Sequence, residues 1–242
     1  MRVAVYNQMF GLNGRKFWST VVGHYYVHYQ KDSRKVSSRV NLSETLKTVE
    51  KANADIIGIC EIFEGHESKI IAGLKKMGYR YFYFGKGHKF KFSRRHVLEL
   101  IASKIKGKQL NFRQWPMENK LGGGGGFVAC KFPGINIIHV HMAIPARNSF
   151  YPQITHLKKI AKKMKGKTVL MGDFNYPHKR LEMHFSDYTL VTRKIKTCSL
   201  TPVIKWVYNK DIDHIFIKGF KTRSIGTLEG KSDHRLVYAE LK

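Results

Sequence analysis

Apolar and polar positions along the chain follow two periods, and the switches between them predict strands and helices in turn. The opening run Met1-Arg-Val-Ala-Val-Tyr6 has strand character and delivers Asn7 at its end. Residues 11–40 break the pattern: Phe17, Trp18, Tyr25, Tyr26 and Tyr29 mix with Lys31, Arg34 and Lys35, which predicts a long, partly helical insertion. Asn41 and Glu44 have capping-box spacing, and Leu42, Leu46 and Val49 then share a helical face. Ala54 to Cys60 reads as a buried strand ending at Glu61. Ile70, Ile71, Leu74 and Met77 mark another helix, stopped at Gly78, and Tyr79 to Phe84 is an aromatic strand. His96 to Ile105 predicts a third helix.

Gly122 to Gly126 run straight into Phe127-Val-Ala-Cys130, so they predict a turn or a close backbone approach and not a linker. In the strand Ile135 to Met142, alternation puts His139 and His141 on one face. Pro152 opens a helix with Ile154, Leu157, Ile160, Ala161 and Met164 inward. Its other face carries Lys158, Lys159, Lys162, Lys163 and Lys165, which reads as a solvated surface. With neither repeats nor a linker, residues 1–242 are expected to form a single domain with an insertion at about 11–40.

Candidate chemistry collects where the late strands begin and end. Val169, Leu170 and Met171 form a short apolar run that Gly172 terminates, delivering Asp173 and Asn175 to a sheet edge. Asp233 and His234 stand just ahead of the strand Leu236 to Leu241. Polar residues brought from distant segments to strand ends are how α/β sheets assemble a site. These four residues could supply metal ligands, a general base and an orienting amide. The chain therefore reads as an enzyme.

Charge narrows the substrate. Lys and Arg number 44 against 17 Asp and Glu, a formal +27, while 43% hydrophobic content excludes a disordered polycation. Such an excess attracts polyanions, nucleic acid first and anionic membrane second. In Gly85-Lys-Gly-His-Lys-Phe-Lys-Phe-Ser-Arg-Arg95, cations alternate with Phe90 and Phe92 in an expected loop. That mixture suits phosphate contacts and base stacking, through Lys89, Lys91, Arg94 and Arg95. Cys60, Cys130 and Cys198 lack metal-ligand spacing, and the first two lie in apolar runs as expected buried thiols of a reducing compartment. No apolar stretch approaches the roughly 18 residues of a membrane span. With no signal-peptide pattern at the start, the expected location is cytoplasmic.

Six islands in order resemble the endonuclease/exonuclease/phosphatase superfamily, the deoxyribonuclease I-like fold. They are Val5-Tyr-Asn7, Ala54-Asp-Ile-Ile-Gly-Ile-Cys-Glu61, His139-Val-His-Met142, Gly172-Asp-Phe-Asn175, Asp211-Ile-Asp-His-Ile-Phe216 and Ser232-Asp-His234. The resemblance covers essentially the whole chain and implies an α/β four-layer sandwich, two packed mixed β-sheets flanked by helices. It implies Glu61 as first metal ligand with Asn7 and Asp233 as outer or second ligands, and oxygen donors favour Mg²⁺ or Mn²⁺. It places His141 against the phosphate, gives Asp173 a proton-transfer role and Asn175 the holding of nucleophile or phosphate, and pairs His234 with Asp213. Asp211 shares the strand face of Asp213 and rivals it for that role. Arg147 and Gln153 echo the family's arginine and glutamine after the histidine strand. Cys60 replaces a common glutamine, Arg235 follows the last motif, and the tryptophan signatures of abasic-site endonucleases are absent. His139 and His214 read as packing histidines.

The expected activity is that of a metal-dependent phosphodiesterase, a DNA endonuclease or exonuclease acting as a monomer. The alternative is an inositol-phosphate or sphingomyelin-type phosphoesterase at membranes, and a third class is a non-catalytic nucleic-acid-binding module.

Overall fold

The computed structural model describes residues 1–12, 29, 40–90, 92–114, 125–144, 150–199 and 209–242. Most of the expected insertion, together with Lys91 and Arg147, lies outside the described residues. In chain order the elements are β1 (Arg2–Asn7), α1 (Leu42–Ala52), β2 (Ile56–Phe63), α2 (Glu67–Lys76), β3 (Tyr81–Lys89), β4 (His96–Ser103), β5 (Lys108–Gln109), β6 (Gly126–Phe132) and β7 (Ile135–His141). There follow α3 (Phe150–Lys163), β8 (Thr168–Asp173), the short α4 (His178–Leu181), β9 (Thr189–Leu190), β10 (Cys198–Ser199), β11 (Asn209–Lys210), β12 (Asp213–Lys218), β13 (Thr222–Leu228) and β14 (Leu236–Leu241).

Two mixed sheets of six strands result, ordered β13-β14-β1-β2-β4-β3 and β5-β6-β7-β8-β12-β9. Strand alternation sorts their side chains into layers. Val3, Val5, Ile56, Ile101 and Val237 of the first sheet meet Val128, Ile137, Val169, Met171 and Ile215 of the second. The opposite face of the first sheet, with Ala4, Tyr6, Ile57 and Ile59, packs on Val49, Ile70 and Leu74 of α1 and α2. Ile138, Val140, Leu170 and Phe216 pack on Ile154, Leu157 and Ile160 of α3. Each such fully buried aliphatic side chain contributes about 1.5–3 kcal/mol, so the four-layer sandwich follows from the two periods. Among the described residues, no helix is long and apolar enough to cross a membrane.

Three sequence expectations are corrected. His96 to Ser103 is a strand, not a helix, hydrogen-bonded to β2 and β3. Val97, Leu98, Leu100, Ile101 and Ala102 are all buried because both faces of β4 are covered, and such a run carries no period that separates strand from helix. The expected basic loop is strand β3 as far as Lys89, with a turn beyond it. Phe90 is buried at 3% exposure beside Phe10 and Phe63, so it is core and cannot stack on a base.

Asn41 caps α1 by accepting from the Ser43 N–H at 3.1 Å, whereas Glu44 turns to Lys47 instead of closing a capping box. Gly172 marks where backbones come closest: with φ 152°, a Cβ there would lie 1.9 Å from the Val140 carbonyl oxygen. Gly172→Ala is therefore expected to cost about 3 kcal/mol or more, read as a fall in thermal midpoint or loss of soluble protein. An unchanged midpoint would contradict the β7–β8 packing.

Candidate active site

The polar residues singled out in the sequence come together at one end of the space between the sheets. Asn7 follows Val3 and Val5 on the inward face of β1, and Asp173 follows Met171 on that of β8. His141 continues the Ile137 face of β7. Asp213 opens β12 directly opposite Asp173, and Asp233 and His234 precede β14.

Glu61 reaches the cluster by a different route. Between Ile59 and Ile62 the register with β4 slips, so that Cys60 and Glu61 together face the single residue Glu99. Such a bulge re-aims side chains. Glu61 takes a positive φ of 59°, a strained value for a side-chain-bearing residue. The turn brings its Oε1 to 3.2 Å from the Asn7 amide nitrogen and 3.5 Å from His141 Nε2.

Hydrogen bonds lock the rest. Asn7 Nδ2 also donates to Asp173 Oδ2 at 2.9 Å, while its own oxygen accepts from the Met9 N–H at 3.0 Å. In this orientation Asn7 presents its amide nitrogen to the carboxylates, and its oxygen is already engaged. The other oxygen of Asp173 accepts from the Asn175 N–H at 2.7 Å, and Asn175 Nδ2 donates to the Met142 carbonyl. Asp173 Oδ2 lies 3.8 Å from His234 Nε2 and 3.9 Å from His141 Nε2, between two imidazoles. The Ser232 hydroxyl ties the last motif to β1, 2.7 Å from the Asn7 carbonyl oxygen.

The rivalry between the two aspartates resolves geometrically. Asp213 Oδ2 is 2.7 Å from His234 Nδ1, whereas Asp211 pairs with His178 Nδ1. Gln153 accepts from the Ala143 N–H and so holds the backbone after β7. His139 is fully buried over Gly58, where a Cβ would come within 2.3 Å of the ring, and burial lowers its pKa to about 4. His214 is likewise buried, with Nε2 2.9 Å from the Tyr176 carbonyl oxygen. Lys89 and Arg94 are exposed, and Arg95 donates to the Glu64 carbonyl while lying over Phe63.

One residue escaped the sequence reading. Glu99 is fully buried in the middle of β4, its Oε1 3.1 Å from His141 Nδ1. Its signal was a lone acid inside an apolar run, hidden by the helical assignment. Glu99→Ala is expected to lower turnover by roughly 10–100-fold by freeing the imidazole, with Glu99→Gln recovering part of it through the retained acceptor oxygen. Equal losses in both variants would argue that the charge alone matters.

Electrostatics favour cationic imidazoles beside crowded acids. Burial opposes protonation of His234, yet Asp213 and then Asp233 hold its pKa well above the ordinary value, while Cys198, kept a neutral thiol by burial, adds no charge. Against the same burial, Glu99, Glu61 and Asp173 lift His141 to about 9. Burial pushes Glu61 up to about 7 although His141 pulls the other way, with Asp233 adding repulsion. Asp173 is also raised, by burial and then by Asp213. A divalent cation would relieve that repulsion, and Glu61 and Asp233 offer it hard oxygen donors, so the residues fit a metal. Asp173, Asp213 and His234 form a further group with the spacing to hold one.

The site thus gathers carboxylates and imidazoles at one end of the space between two paired mixed sheets. Residues 30–234 match the model of the Endonuclease/Exonuclease/phosphatase family, and the chain belongs to that family. It is a phosphoesterase family whose enzymes are generally divalent-metal dependent. Among solved structures, an endonuclease/exonuclease/phosphatase from Beutenbergia cavernae DSM 12333 is similar with TM-score 0.71 and 12% identity, covering 100% of this chain and 71% of that one. ANGEL2, a 2′,3′-cyclic phosphatase in complex with adenosine-2′,3′-vanadate, is similar with TM-score 0.68 and 12% identity over 99% and 94% of the two chains. A mannosyl-6-phosphatase from Bacteroides thetaiotaomicron VPI-5482 reaches TM-score 0.61 and 17% identity over 100% and 99%. These identities speak for the fold alone. Among curated proteins, none matches the chain.

Proposed function

We propose that the chain is a Mg²⁺- or Mn²⁺-dependent phosphodiesterase acting on nucleic acid, with DNA cleaved internally or from an end. The observation that carries this reading is Asp173 held between His141 and the His234–Asp213 pair, on a protein of net charge +27. Glu61 and Asp233 would hold the cation, with Asn7 bracing Glu61 from beside it. When bound, the ion supplies Lewis-acid stabilisation of the charge that develops on phosphate oxygens.

The protein's own groups do the rest. His141 and His234, both cationic, bind the non-bridging oxygens and favour the extra negative charge of the transition state. Asp173, oriented through both its oxygens by Asn7 and Asn175, takes the proton of the attacking water as the new P–O bond forms. The ester P–O bond breaks on the opposite side, and solvent protonates the departing oxygen. Asp213 holds Nδ1 of His234, leaving Nε2 directed at the phosphate.

The test is incubation with Mg²⁺ and a panel of plasmid, single-stranded DNA, abasic duplex, RNA, phosphoinositide and sphingomyelin. Cleavage of a nucleic acid supports the reading, and cleavage of lipid alone replaces it. Exposed cations are expected to act on binding and not on chemistry. Each phosphate contact carries a log–log salt slope of about −0.9, so Lys89→Ser with Arg94→Ser is expected to flatten the DNA-binding slope by up to about two units. Turnover at saturating DNA is expected to stay constant. An unchanged slope removes the β3–β4 turn from the binding surface.

A further inference from the structure

We propose that Cys198, Asp233 and His234 form a second, thiophilic cation site, of the kind Zn²⁺ takes, whose occupation switches the enzyme off. The inhibitory half rests on the roles proposed above for Asp233 and His234; the binding half does not.

Backbone register places the thiol beside the imidazole. The Ser199 N–H donates to the Asp233 carbonyl at 2.8 Å, and the Arg235 N–H donates to the Thr197 carbonyl at 2.7 Å. Cys198 and His234 are thus opposite one another in an antiparallel bridge, flanked by these bonds and not joined by them. In that kind of pair the side chains approach most closely, on one face. The same short segment is anchored to the catalytic strand, because Thr197 Oγ1 accepts from the backbone N–H groups of Ile212 and Asp213. The thiol is therefore fixed against the site by the framework that orients Asp213.

The three side chains offer one sulfur, one carboxylate oxygen and one imidazole nitrogen, all within 4.8 Å of one another. Nδ1 of His234 is committed to Asp213, which leaves Nε2 as the ligand, 4.0 Å from Asp233 Oδ1. Zinc bonds of about 2.0–2.3 Å put tetrahedral ligand atoms roughly 3.5 Å apart, a closure that side-chain rotation supplies. A fourth position stays open to water or a phosphate oxygen. Binding forms the metal–sulfur bond and releases the thiol proton to solvent, with no redox partner needed. A thiolate discriminates strongly: hard Mg²⁺ avoids it, while Zn²⁺ seeks it. Captured there, the ion withdraws Asp233 from the activating metal and Nε2 of His234 from the phosphate.

The experiment uses the purified full chain in excess Mg²⁺, titrated with Co²⁺ as the spectroscopic probe for Zn²⁺. The expected result is a near-ultraviolet thiolate-to-cobalt charge-transfer band that saturates near one equivalent and that Zn²⁺ abolishes. Cys198→Ser and Cys198→Ala are both expected to lose the band, whereas Cys60→Ala and Cys130→Ala keep it. In the hydrolysis assay, Cys198→Ser is expected to keep its Mg²⁺-supported rate. Its Zn²⁺ inhibition midpoint is expected to rise by at least the roughly 10–100-fold that even an outer-shell change costs. A wild type without the band, or a band that survives loss of Cys198, overturns the site. An unchanged inhibition midpoint overturns the switch and assigns zinc inhibition to displacement of Mg²⁺ at Glu61. If no phosphoester is cleaved, the functional reading fails while the cobalt band still reports on the site.

Discussion

Glu61→Gln is expected to lower turnover by roughly 10³-fold, about 4 kcal/mol of barrier, while leaving the thermal midpoint within a few degrees of the parent. The substitution keeps the side-chain volume and the oxygen that accepts from Asn7, so the bulge at Cys60–Glu61 retains its packing. What it removes is the charge that the proposed cation needs. Removing the metal with excess chelator is expected to produce a loss of the same order in the parent and almost none in the variant. That non-additivity is the informative part: a ligand and its ion act as one unit, so losing both costs little more than losing either. Full parental activity in chelator would end the metal assignment. A variant that still responds fully to chelator would move the ion away from Glu61.

The second large effect concerns two aspartates two residues apart, Asp213 opening β12 and Asp211 just ahead of it. Asp213→Ala is expected to reduce turnover by roughly 10²–10⁴-fold, because His234 loses both the partner at Nδ1 and the charge that sustains its protonation. Asp211→Ala removes a partner from His178 instead, at the start of α4. Its expected effect is a lower thermal midpoint with turnover reduced by no more than about tenfold, as for a change beyond the reacting groups. Measuring the maximal rate and the melting curve for both variants separates the two. Equal, mild losses would remove the His234–Asp213 pair from the mechanism.

The fold was readable where each strand had one covered face or a polar stop. Met171-Gly-Asp173 and the run into Glu61 announced themselves because a buried apolar stretch met an acid, although β2 does not end at Glu61 as expected and continues to Phe63. Strand β4 did not, since both its faces are buried and a continuous apolar stretch has no period. The cost of that ambiguity was Glu99, whose contact with His141 depends on a strand placing it between the sheets. Alternation also left Asp211 and Asp213 equivalent; only His178 and His234, both distant in sequence, distinguish them. The bulge at Cys60–Glu61 is set by how β2 meets β4 and leaves no glycine or proline as a marker. Phe90 was misread for the reverse reason: its neighbours in sequence are basic, while its neighbours in space are Phe10 and Phe63. Cys198 sits in a two-residue bridge too short to carry any pattern.

The order of the strands in the first sheet bears on how the site is assembled. Strand β14 lies between β13 and β1, so segments more than two hundred residues apart pair side by side. Asp233 and His234 are carried into place by that pairing, and Ser232 fastens them to Asn7 across 225 residues of chain. A chain with only Glu61, His141 and Asp173 in place still lacks half of the phosphate-binding groups. The candidate site is therefore complete only after that pairing of distant segments has closed, so its assembly reports on the folding of the whole sheet.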